Sequence, residues 1–252
     1  MDFRAKLYQL SGFLQHQITP GLPYSQDVFE ARLRPLVHKA KSWLDLGCGH
    51  RLLPEWRETA EAELIKSAPL VVGLDVDFEA VRRHRTIEHR CLGEIGKLPF
   101  ASRTFDLVTA NMVVEHLADP AAEFAEVARV LTPGGVFVFH TPNTRSYVTR
   151  LARLLPDGFK RILAQILEGR ASADVYPTFY RANYVAAIHQ TASQSGLVVS
   201  NIEFVNSAPV FNLFAPLLIP ELLWIRQLQR RPSLLGHRPT LICSLRRDVA
   251  IL

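Results

Sequence analysis

The stretch "SWLDLGCGHRLLPEW", residues 42–56, decides the fold. Trp43, Leu44 and Leu46 read as a short buried strand. Asp45, Gly47 and Gly49 stand at its end, and the glycines read as a tight turn. Such a turn brings bare backbone N–H groups against an anionic or polar group. His50 and Arg51 then interrupt the glycine series, and Pro54 suits the first turn of a following helix.

Outward from this stretch a rhythm appears. Strand-like runs are "SWLDLG", "LVVGLDV", "EHRCLGE", "FDLVTANMV" and "GVFVFHT". Between most of them lie segments suited to helices, "PEWRETAEAELIKS" and "PAAEFAEVARVL" among them. In the second, Phe124, Val127, Ala128 and Leu131 share one face at helical spacing, and "TPGG" at 132–135 is expected to stop it. Alternation of this kind predicts a Rossmann-like, doubly wound α/β fold with a mostly parallel sheet. After Thr141 the rhythm breaks. Residues 142–176 are too long for an ordinary connection and predict a helical lid. Within them "FKRILAQILEG" places Phe159, Ile162, Leu163, Ile166 and Leu167 on one stripe. Helix "RANYVAAIHQTASQSG" and strand "LVVSNIEFVNS" follow, then a second, apolar insertion at 207–239, then strand "TLICSLRR". Two late strands joined by a long excursion predict an antiparallel pair at one sheet edge. The expected division is an N-terminal helical cap, 1–41, and one domain, 42–252, carrying both insertions.

The bulk numbers agree with one large α/β domain. The chain has 252 residues, 48% apolar and 21% charged, which excludes global disorder. Its net charge of +5 permits an anionic partner without requiring one. Cys48, Cys91 and Cys243 sit in or beside apolar runs with no ligand spacing, so buried thiols in a reducing, cytoplasmic setting are expected. No metal cluster is visible, no stretch reaches 18 uninterrupted apolar residues, and the opening residues lack the apolar core of a signal peptide.

In an open parallel sheet, ligands bind beyond the carboxyl ends of the strands. Those ends carry Asp45 to Gly49, then Asp75, then Glu94, then Asn111. Asp75 is placed to accept hydrogen bonds from a ribose diol; the competing reading, a helix cap, falls better on Asp77. Glu94 and the backbone after it are placed to read the edge of a base, with a solvated carboxylate as the alternative. The ordered set points to a ligand bearing a nucleoside.

On these residues the chain resembles the class I S-adenosylmethionine-dependent methyltransferases, in particular the ubiquinone- and menaquinone-biosynthesis subgroup. The resemblance covers roughly residues 40–142 and rests on "LDLGCG", "VVGLDVD", "GEIGKLPFASRTFDLVTANMVVEHLADP" and "RVLTPGGVFVFHTPN". It implies S-adenosyl-L-methionine as cofactor. Asp45, Gly47, Cys48 and Gly49 would cradle its methionine end, and Asp75 with Val76 its ribose. Glu94 and Ile95 would meet the adenine, and Asn111 and Met112 would line the pocket near the sulfonium. The family often has a third glycine where this chain has Arg51. The helix is therefore expected to start late, at Pro54, with His50 and Arg51 at the pocket rim.

For a hydroxyl acceptor a base is needed, and His116 and His140 are the candidates; a structural histidine bonded to nearby backbone is the competing reading for each. Tyr24, Tyr176, Tyr180 and Arg181 are candidates for acceptor contact or for anchoring the lid. The expected activity is methyl transfer to a small, partly apolar acceptor such as a quinone, lipid or glycolipid precursor. An RNA methyltransferase and a non-catalytic cofactor-binding protein are the alternatives. Nucleic acid is disfavoured, because "ANMV" replaces the motif of base-amino methyltransferases and no RNA-binding module is recognisable. Peripheral membrane contact through 207–239, flanked by Arg226, Arg230 and Arg231, and a homodimer are the further expectations.

Overall fold

The computed structural model describes residues 3–154, 176–212 and 214–248. It divides into two units. The larger comprises residues 28–142, 178–203 and 241–252; the smaller comprises 1–27, 143–177 and 204–240.

The larger unit contains strands β1 (Trp43–Leu46), β2 (Val71–Asp75), β3 (His89–Leu92), β4 (Phe105–Asn111) and β5 (Leu131–Pro142). It also holds most of β6 (Leu197–Val205) and β7 (Thr240–Arg247). The sheet order is β3-β2-β1-β4-β5-β7-β6. β1 pairs in parallel with β2 and β4, β2 with β3, and β4 with β5. β7 runs against both neighbours. On the β6 side, the Asp248 N–H donates to the Gly196 carbonyl at 3.1 Å and the Ser200 hydroxyl to the Ser244 carbonyl at 2.8 Å. One partner number rises as the other falls, which is an antiparallel register. The antiparallel edge expected from the two late strands is therefore present.

The all-buried pattern of β1 shows why its sequence is apolar on both sides: helices cover both faces of the sheet. On one of them, α5 (Pro120–Val130) begins with Asp119 accepting from the Ala122 N–H and with Pro120 in its first turn. Phe124 of α5 meets Phe137 and Phe139 of β5 with ring centroids 5.3 and 5.7 Å apart, edge to face. The helix ends at Val130, before the "TPGG" segment, and Leu131 is already the first residue of β5. That leucine is buried as its helical spacing suggested, but from the strand.

The loop after β1 is longer than its sequence suggests. A 3-10 turn spans Glu55–Arg57, and α3 (Glu58–Lys66) starts only at Glu58. Leu52 and Leu53 are buried beneath this loop, and the Leu53 N–H donates to the buried Glu61 carboxylate at 2.7 Å. The helix α2 (Ser25–Val37) reaches the same loop through Glu30. Its buried carboxylate accepts from Arg34 Nε at 2.9 Å and from Arg57 Nε at 2.9 Å. Burial opposes ionisation of Glu30, but Arg57 and Arg34 outweigh it and hold the carboxyl below its ordinary range.

Replacing Glu30→Gln leaves both guanidinium groups without their shared anion. A loss of about 1–3 kcal/mol is expected in urea denaturation at neutral pH. Because the folded-state pKa is depressed, this loss shrinks as pH falls through the carboxylate range.

Candidate active site

The carboxyl ends of β1, β2, β3 and β4 place the expected strand-end groups side by side at one end of the larger unit's sheet. Gly47 and Gly49 adopt φ of +64° and +54°, a region that side chains disfavour. A Cβ on Gly47 would stand 2.4 Å from Val113 Cγ2, so that position admits no side chain. At Gly49 a Cβ would meet open space, which leaves the backbone bare to an incoming group. Between them, the Cys48 N–H donates to the Leu74 carbonyl at 3.1 Å, and the thiol is buried. Burial pushes that thiol's pKa well up, so Cys48 contributes backbone and volume, not a thiolate. Of the other two cysteines, Cys243 is buried and Cys91 only partly so, and all three are free.

Asp75 fastens the turn. One carboxylate oxygen accepts from the Gly49 N–H at 2.8 Å, the other from the Asp77 N–H at 2.9 Å. A carboxylate offers about four lone-pair sites, so two remain for hydroxyl donors. Asp77 caps α4 (Phe78–Arg83) by accepting from the Glu79 and Ala80 N–H groups, which leaves Asp75 out of that role. Val76, next in the chain, and Leu92, the register partner of Asp75 on β3, are exposed apolar residues beside it. Glu94 is exposed with extended backbone and opens a 3-10 turn at Ile95.

Beneath the turn lies a buried polar chain. Trp43 Nε1 donates to Thr109 Oγ1 at 2.7 Å, and that hydroxyl donates to Asp45 Oδ1 at 2.5 Å. Burial pushes the Asp45 carboxyl up to about 8 against the pull of the Thr109 bond, and Glu61 and Asp75 push in the same direction as burial. Thr109 was missed in the sequence; its signal was one hydroxyl inside the apolar strand "FDLVTAN".

At the end of β4, Asn111 and Met112 are set by β5. His140 Nδ1 lies 3.0 Å from Asn111 Oδ1, while Asn111 Nδ2 donates to the Leu52 carbonyl at 3.1 Å. Since the amide nitrogen serves Leu52, its oxygen is the acceptor, and the His140 proton sits on Nδ1. The Met112 N–H donates to the His140 carbonyl at 2.8 Å, and Met112 takes φ of +58°, a strained conformation for a side-chain-bearing residue. His140 is buried, stacks on Phe29 at 5.7 Å, and is pushed down to about 4 by burial. It is a neutral imidazole that holds Asn111. His116 is only partly buried, in a 3-10 turn over Val114–His116.

Glu115 was also overlooked beside the more conspicuous His116. It is buried, and its carboxylate accepts from Thr141 Oγ1 at 3.0 Å, which in turn accepts from Asn183 Nδ2 at 2.6 Å. Its carbonyl accepts from the N–H groups of Phe179 and Tyr180, tying the returning chain to this end of the sheet. Tyr180 takes φ of +53° there, and Arg181 reaches the Ala118 carbonyl. Arg51 pairs with Glu55 at 3.5 Å, and His50 is exposed. Tyr24 and Tyr176 belong to the smaller unit. The amphipathic stripe from Phe159 to Leu167, and most of the lid, lie outside the described residues. Among the described residues no group of three or more acidic, histidine or cysteine side chains could hold a metal ion. A groove of about 360 Å³, lined by Ile65, Lys66, Arg85 and His89 among others, lies at the amino ends of β2 and β3, away from these groups.

A family described as methyltransferase domain matches residues 24–172, more than half the chain. The chain belongs to this methyltransferase family. It is 39% identical over 104 residues to a demethylmenaquinone methyltransferase of Corynebacterium kroppenstedtii, covering 38% of this chain and 45% of the relative. It is 34% identical over 138 residues to a ubiquinone biosynthesis O-methyltransferase of Bradyrhizobium, covering 51% and 53%. The chain spans about half the length of these curated relatives. A solved S-adenosylmethionine-dependent methyltransferase from Mesorhizobium loti shares the fold, with a TM-score of 0.54 at 22% identity over 88% of this chain and 96% of that one.

For a methyltransferase domain the crevice has the right parts. The bare face at Gly49, the two spare acceptor sites of Asp75 and the exposed apolar residues Val76 and Leu92 fit the adenosyl portion of S-adenosylmethionine. The third-glycine position is filled by Arg51 without closing the turn, because that side chain is drawn to Glu55.

The raised pKa of Asp45 gives a test of the buried chain. Its folded-state value lies above the unfolded one, so its contribution is fully present below about pH 4 and is lost as pH rises to about 8. The wild-type chain is expected to lose up to about 1.4 kcal/mol per pH unit from this group across that window. Asp45→Asn removes this slope, so the difference between the two proteins in denaturant titrations widens toward pH 8 and then levels.

Proposed function

We propose that this protein transfers the methyl group of S-adenosylmethionine to a small, partly apolar acceptor, a quinone, lipid or glycolipid precursor. The single observation that carries the reading is the clasp of Gly49 by Asp75 at neighbouring carboxyl strand ends. It leaves open space beside Gly49 and two unused lone-pair sites on the largely buried carboxylate for a nucleoside. The apolar acceptor is supported by the quinone-modifying relatives and by the apolar 207–239 segment.

When bound, the cofactor supplies a methyl group already activated on sulfur. The chain's own tasks are to orient the two reactants in line and to exclude water. Asn111, fixed at one end by His140 and at the other by the Leu52 carbonyl, is the rigid polar wall for this purpose. If the acceptor is a hydroxyl, His116 is the group proposed to take its proton. His140 is proposed to position Asn111 instead, since a buried imidazole with a pKa near 4 is a weak base at neutral pH.

A second reading, binding without transfer, is favoured by one feature, the salt-bridged Arg51 in place of the third glycine. The two readings separate on incubation with isotopically labelled S-adenosylmethionine and fractionated cell extract. A methyl-labelled apolar product supports transfer; calorimetric binding with no labelled product in any fraction favours the second.

Two substitutions test the site itself by calorimetry. Asp75→Ala is expected to weaken S-adenosylmethionine binding by roughly 100-fold, the loss of two hydrogen bonds to a charged group. Gly49→Ala adds a methyl group on the open side. It is expected to cost about 1 kcal/mol of stability, through its positive φ, while weakening binding more than that strain accounts for. Unchanged affinity in both variants would overturn the site.

A further inference from the structure

In the smaller unit, α1 (Phe3–Ile18) packs with the helix Ala215–Arg230, here α8. The Ser11 hydroxyl donates to the Asn212 side chain at 3.1 Å beside this contact. One side of α8 is core: Leu218, Leu222, Ile225 and Leu228 are each 1% exposed or less. Its other side is also apolar. Pro216, Leu217, Ile219, Pro220, Leu223 and Trp224 are all exposed and fall on the remaining arc at helical spacing. From Pro216 to Ile225 the helix is apolar on both sides apart from Glu221, and such a segment belongs in a core or against a second apolar phase. Here only one side is covered.

The charges say what the other half faces. Glu221 is the only acid in α8, and it is turned inward and buried. It accepts from the Tyr147 hydroxyl at 2.6 Å and from the Val210 and Phe211 N–H groups at 2.8 and 2.9 Å. Burial, with Glu221 beside it, pushes the Tyr147 hydroxyl well up, so that partner stays a proton donor. The outward charges are therefore all positive: Arg226 and Arg230 on the helix, and Arg231 just after it. None of the three has an acidic partner among the described residues. α1 contains no acid either, and exposes Lys6, Leu10 and Phe13. No described helix is long and apolar enough to cross a membrane. An apolar face edged only by cations, with a tryptophan on it, is complementary to the interfacial zone of an anionic bilayer.

We infer that the exposed face of α8 docks this protein on an anionic lipid surface, with Leu223 and Trp224 entering the acyl boundary and Arg226, Arg230 and Arg231 meeting the headgroups. This goes beyond methyl transfer and does not depend on it. A domain seated this way would meet an apolar acceptor in the phase where that acceptor concentrates.

The test is flotation of the intact protein, without cofactor, on phosphatidylcholine vesicles with and without about one third phosphatidylglycerol. Binding is expected to the anionic vesicles and to be much weaker to the neutral ones. The triple change Arg226→Glu, Arg230→Glu, Arg231→Glu should lower binding by about 100-fold or more, roughly fivefold for each cation removed. Leu223→Glu with Trp224→Glu should abolish it, while S-adenosylmethionine calorimetry remains as in wild type. Absence of flotation on either vesicle overturns the inference. So does a dimer in sedimentation that the Leu223 and Trp224 changes dissociate, which would make the face a contact between two copies. Neither outcome bears on methyl transfer, which is read separately from labelled product.

Discussion

The Asp75 carboxylate is the constraint on which the crevice depends. The turn after β1 has two residues at positive φ, both glycines with no side chain to hold them in place. The Gly49 N–H bond to Asp75 fastens its far end to β2, and the Cys48 N–H bond to the Leu74 carbonyl fastens its near end. Both anchors come from the adjacent parallel strand. The same carboxylate, itself largely buried, is thus a structural fastener that still has acceptor sites to spare, and the two duties use different lone pairs.

Around this fastener the polar groups are divided by charge state. Asp45, linked to Thr109 and Trp43, is held as a neutral acid at physiological pH by its burial. His140 is held neutral for the same reason, with its proton directed at Asn111. These buried groups at this end of the sheet are therefore uncharged hydrogen-bonding groups with fixed donor and acceptor roles, whereas Glu94 is exposed. Low internal dielectric makes such fixed roles strong and their disruption costly.

Much of the fold was legible in the sequence because it followed from period and position. The buried strands declared themselves by apolar runs, the antiparallel edge by two late strands around a long excursion, and the grouping of Asp45, Asp75 and Asn111 at one end of the sheet by their places at the ends of those runs. Glycines at 47 and 49 carried their own explanation. What was not legible depended on contacts far apart in the chain. Nothing local marks Glu30 as the link between α2 and Arg57. Thr109 and Glu115 owe their roles to partners on other strands, and the strain at Met112 is imposed by the His140 carbonyl. The start of α3 was placed too early because Pro54 is as compatible with a 3-10 turn as with an α-helix; the burial of Leu52 and Leu53 decided between them.

The strand order has a bearing on biosynthesis. β7 follows β6 in the chain yet lies between β5 and β6. As the polypeptide leaves the ribosome, β5 therefore keeps an unpaired hydrogen-bonding edge after β6 has emerged, and residues 197–205 wait without a neighbour. Only the arrival of residues 240–247 supplies both. The intervening α8, rich in leucine and isoleucine, is exposed to solvent during that interval. This makes the stretch between the sixth and seventh strands the point at which the nascent chain is most in need of a chaperone.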